Sequence, residues 1–152
     1  MRRFKLLFTF LQVPIDLLMV WAAFLLAYWV RTQNILAAPP ATYMMPWPEY
    51  VQLTGAIALG WVTVFALTGL YNPKSHEGLV QIWQRVFIAV SVSLALFIVV
   101  LFGFKESFFS RLITAYVWVI AMVLVFLGRW LLKYSQWWLA KAGLAKEYIF
   151  YL

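Results

Sequence analysis

The 152-residue chain is 66% hydrophobic, 20% aromatic and only 11% charged, with a formal net charge of +7. A soluble domain carries roughly 45–50% apolar and about 25% charged residues, so lipid rather than water is the expected main solvent. The cations sit at the ends of apolar runs and form no patch or helical stripe, which argues against a nucleic-acid interface. The absence of cysteine excludes disulfides and thiolate metal sites.

Four apolar runs account for the excess, each without period-2 alternation. Their length of about 19–25 residues suits membrane-spanning helices, whereas membrane strands are about 10 residues long and alternate. The start, Met1-Arg2-Arg3-Phe4-Lys5, resembles a signal peptide. Its apolar run nevertheless reaches Val30, far beyond an h-region of about 7–15 residues, so residues 6–30 read as a retained first span closed by Arg31. Pro14 marks a kink in that span or its true start. The segment Thr32–Pro48, with Pro39, Pro40, Pro46 and Pro48 plus Tyr43 and Trp47, reads as a loop with an aromatic interfacial edge.

The second span covers residues 51–71, and a polar connector, 72–78, follows it. Leu79, Ile82, Trp83 and Val86 fall at helical spacing, which predicts a short interfacial helix leading into the third span, residues 86–104. The tight connector 105–111 offers Ser110 as an N-cap, with Arg111 reaching the head groups, and the fourth span covers 112–132. The expected fold is therefore an all-α membrane domain over residues 1–134, a bundle of four transmembrane helices. Residues 135–152 read as a cytoplasmic interfacial helix and then an apolar β-prone run, Glu147–Leu152, the first strand of a cytoplasmic domain continuing past Leu152.

Orientation follows from cations. Arg2, Arg3, Lys5, Lys74, Arg85, Arg129, Lys133, Lys141 and Lys146 fall on one side, against Arg31, Lys105 and Arg111 on the other. Nine against three places both termini in the cytoplasm.

Asp16 is the only acid inside an apolar run. Intramembrane ionisable groups are costly and face a partner within the bundle. Asp16, Val20, Ala23, Ala27 and Arg31 share one helical stripe, and the two alanines permit close approach of another helix. Arg129 and Lys133 lie at similar depth in the fourth span, so an Asp16–Arg129 or Asp16–Lys133 contact is expected, a structural pair or snorkelling group in the first place, otherwise a holder of a lipid phosphate or, last, a proton relay. Gly55, Ala56, Gly60 and Thr63 on the second span, and Ser91, Ser93 and Ala95 on the third, are expected packing surfaces. Arg85, Lys74 and His76 read first as ordinary orientation charges, and otherwise as contacts for anionic head groups or the pyrophosphate of a lipid-linked product. His76 is the single histidine, with no second ligand at metal spacing. No paired carboxylates, glycine-rich phosphate loop or Ser/His/Asp set is present, so no catalytic, cofactor-binding or metal residue is assigned.

The order of features is that of a known family. Asp16 in the first span, Arg31 closing it, Gly69-Leu70-Tyr71 ending the second, Ser110-Arg111 opening the fourth and Arg129 near its end precede a basic helix and an apolar strand. Over essentially the whole chain this resembles the membrane domain of bacterial polyprenyl-phosphate hexose-1-phosphate transferases, the large phosphoglycosyltransferases of exopolysaccharide and O-antigen synthesis. The resemblance implies a bacterial inner-membrane location and a homo-oligomer. It also implies a downstream catalytic domain that moves a sugar 1-phosphate from a nucleotide sugar to undecaprenyl phosphate with an Asp-Glu pair and magnesium. No part of that machinery maps onto these residues, which would anchor, self-associate or shape the site beside the lipid substrate. Membrane-bound nucleotide-sugar dehydratases and epimerases have a similar four-helix start, and a stand-alone four-helix membrane protein is the third reading.

Overall fold

The computed structural model describes residues 2–33, 44–71, 78–103 and 111–141, with the side chains of 2–9, 102, 111 and 136–141 left aside. Every element among them is a helix: α1 Arg2–Thr32, α2 Trp47–Leu67, α3 Leu79–Gly103 and α4 Arg111–Lys141. At 1.5 Å per residue the shortest, α2, is about 32 Å long and α1 and α4 about 46 Å, against a hydrocarbon core of roughly 30 Å. All four are long and apolar enough to cross a membrane. Their outward surfaces carry Leu18, Leu26, Val99, Val119 and Leu131, each about half exposed or more. Apolar cover of this extent suits lipid, and the chain is a multi-pass membrane protein.

The helices form a closed ring in which α1 packs on α2 and α4, and α3 on α2 and α4, with α1–α4 the most extensive pairing. Tyr28 lies against Trp47 and Phe24 against Trp61, which makes α1 and α2 antiparallel. Trp83 against Phe126 and Trp118 bonded to Ser91 do the same for α3 and α4. The seven Cα steps from Tyr71 to Gly78 span at most about 25 Å, too short to return along α2, so α2 and α3 are antiparallel also. The result is an up-down-up-down bundle. Its centre is Phe24, which meets Trp61 edge-on at 5.5 Å and Phe97 at 5.9 Å, so three helices share one aromatic contact. Val117, Ala121 and Val125 complete the core from α4.

The boundaries depart from the apolar runs for identifiable reasons. α1 passes through Pro14, which is neither its start nor a break. α2 begins at Trp47, inside the proline-rich stretch, because prolines at the N-cap and in the first turn remove only N–H groups that have no helical partner. It ends at Leu67 rather than Tyr71, since Gly69 turns the chain with φ +73°. The separate helix expected at Leu79–Arg85 is the first part of α3. Residues 135–141 continue α4 without interruption, and the expected strand at Glu147–Leu152 lies outside the described residues.

One expected packing surface is overturned. The buried side of α2 is Tyr50, Thr54, Ala58, Trp61 and Phe65. Ala56, Gly60 and Thr63 face outward, and a Cβ added at Gly60 would touch nothing within 4 Å. Gly55 alone of that stripe approaches a neighbour, Trp21 of α1. On α3, Ser93 is buried and Ser91 accepts a hydrogen bond from Trp118 Nε1 at 3.2 Å, whereas Ala95 is exposed.

Candidate functional site: an ion-pair clamp at one end of the bundle

The stripe predicted on α1 is its buried side. Asp16, Val20, Ala23 and Ala27 are inaccessible and Arg31 nearly so. Small side chains at 23 and 27 let α1 lie close to its neighbours, and the same need recurs on α4 at Gly128. A Cβ there would stand 3.4 Å from both Ile15 and Met19 of α1. That close approach brings the next residue, Arg129, to Asp16. Nη2 of Arg129 donates to Asp16 Oδ2 at 2.6 Å, and the two side chains are 9% and 1% exposed.

The third contributor is the end of α2. Gly69 N–H donates to Ala66 O at 3.1 Å and Leu70 N–H to Phe65 O at 3.0 Å, the paired bonds of a Schellman turn. Leu70, at the position after the glycine, is buried against the helix end with Phe65. The reversal turns the Leu70 carbonyl toward α4, where Arg129 Nη1 donates to it at 3.1 Å. Tyr71 follows, its ring 5.5 Å from the Arg129 guanidinium carbon and its hydroxyl beside Asp16. One arginine thus ties α1, the last turn of α2 and α4 together through an ion pair, a carbonyl and a ring face. Asp16 Oδ1 and Arg129 Nε make no hydrogen bond among the described residues, so the pair is single-pronged rather than a fork.

Of the residues singled out in the sequence, Asp16 and Arg129 meet, and Arg129 rather than Lys133 is the partner. Lys133 is exposed one turn further along α4, Arg85 is half-buried on α3, and Arg31 is buried at the opposite end of α1. Ser110, His76 and the side chain of Arg111 lie outside the described residues. Sequence reasoning missed the Leu70 carbonyl, the Tyr71 ring and the spacing role of Gly128. Among the described residues, no three His, Cys, Asp or Glu side chains gather in a way that could hold a metal. The clamp pairs two buried opposite charges across the helices, and its physical effect is cohesion between them. The opposite end is closed by side chain–backbone bonds, Tyr28 hydroxyl to Met45 O at 3.0 Å and Tyr50 hydroxyl to Phe24 O at 2.9 Å.

Comparison with known proteins returned no matching family model, no matching curated protein and no matching solved structure.

Proposed function

We propose that this chain is the membrane-anchoring and self-association module of a bacterial polyprenyl-phosphate hexose-1-phosphate transferase, with both ends in the cytoplasm. The observation that supports this reading is convergence. Asp16, Gly69-Leu70-Tyr71 and Arg129, three of the short motifs on which the resemblance rests, come from separate helices and form a single cluster. The set then answers to one physical need, clamping α1, α2 and α4 at one end. In this reading the chain holds the enzyme at the inner membrane beside undecaprenyl phosphate, while transfer and its magnesium belong to residues after Leu152.

The deciding test is the coding sequence beyond Leu152. A further basic amphipathic segment with acidic catalytic motifs supports the transferase. A strand followed by Gly-x-Gly-x-x-Gly would mark a dehydratase or epimerase instead, and a native stop codon would leave a stand-alone bundle. Orientation is tested separately with reporters. Alkaline phosphatase fused after Lys141 should be inactive and the same reporter inserted between residues 34 and 43 active; the reverse result overturns the topology.

A further inference from the structure

The last turns of the α4 span carry a face that the clamp does not use. Trp130 and Tyr134 are 43% and 48% exposed, with rings stacked at 6.0 Å and 22°. Lys133 is exposed beside them, and at 100° per residue the three positions fall within an arc of about 100°. Leu132, on the other side, is buried, and Ser135 Oγ donates to the Leu132 carbonyl at 2.8 Å. In the sequence the apolar run of α4 gives out at Leu132, before Lys133-Tyr134-Ser135-Gln136, which sets this face where hydrocarbon gives way to head groups. Tryptophan and tyrosine favour that level, since their rings take the apolar side and their N–H and O–H the polar side. Among the described side chains, this end of the bundle carries Arg85, Arg129 and Lys133 against one acid, Asp16. Its field therefore favours an anion over a zwitterion.

We propose that Trp130, Lys133 and Tyr134 hold the head group of an anionic phospholipid, with the Lys133 ammonium on the phosphodiester and the stacked rings against the glycerol and upper acyl region. The proposal rests on the bilayer setting and not on the transferase reading, so either can fail alone. Native mass spectrometry of the full chain in mild detergent, titrated with phosphatidylglycerol or with phosphatidylcholine of the same acyl chains, provides the test. Phosphatidylglycerol should be retained about fivefold better, the effect of roughly one surface lysine. Lys133→Gln should abolish that preference, Lys133→Arg and the control Arg111→Gln, at the first residue of α4, should keep it, and Trp130→Leu should weaken retention of both lipids. Equal retention of the two lipids by the parent chain overturns the proposal. So does an unchanged preference in Lys133→Gln, or displacement of the lipid by inorganic phosphate at equal concentration. Circular dichroism checks each variant, and if Lys133→Gln has lost helicity the Trp130→Leu result decides.

Discussion

Removing one member of the clamp should damage the bundle more than removing both. Asp16→Asn leaves the Arg129 guanidinium 9% exposed, facing an amide, with only the Leu70 carbonyl and the Tyr71 ring as compensation. Arg129→Gln leaves a carboxylate 1% exposed. An uncompensated buried charge of this kind costs about 3–5 kcal/mol. In Asp16→Asn/Arg129→Gln both charges are gone and the two amides are able to bond one another, so the loss should be smaller than that of either single variant. The cycle then yields a coupling at least as large as one single loss, about 3–5 kcal/mol. Reversible unfolding in mixed bicelles and dodecyl sulfate, followed by far-ultraviolet circular dichroism, measures all four corners. Additivity within about 0.5 kcal/mol, or single variants as stable as the parent chain, would refute the clamp as a source of cohesion.

Three further outcomes follow from the geometry. Gly69→Ala must hold φ near +73°, which costs an L-residue about 1–2 kcal/mol, and the same unfolding assay should register that loss. Gly128→Ala should be nearly neutral, because its Cβ meets Ile15 and Met19 at 3.4 Å, whereas Gly128→Leu should cost about 1–3 kcal/mol by forcing α1 and α4 apart. Gly60→Leu should leave the unfolding midpoint of the isolated bundle unchanged, since space around that position is open.

Much of this architecture is readable from sequence because lipid imposes simple rules. Length and apolarity alone locate four helices, and the rarity of intramembrane charge singles out Asp16 and points to a basic partner on α4. Which side of a helix faces inward is a different matter. Lipid is as apolar as a protein core, so α2 carries no polar face to mark its outside. Small residues were the available cue there, and they misled: Tyr50, Trp61 and Phe65 fill the interior while Ala56 and Gly60 face out. On α1 the small residues do mark the inside, because Asp16 and Arg31 lie on the same stripe. The Leu70 carbonyl was invisible for another reason, being backbone, whose position depends on a turn. Gly69 followed by an apolar residue was the available signal for that turn, and reading Tyr71 as the end of the span concealed it.

The two charges of the clamp are 113 residues apart in the chain. At a synthesis rate of about 5–20 residues per second, Arg129 leaves the ribosome roughly 6–23 s after Asp16. Throughout that interval the carboxylate lacks the partner it has in the finished bundle. The first helix therefore enters the membrane with its acid unmatched by Arg129, and only the arrival of the last helix closes the circle.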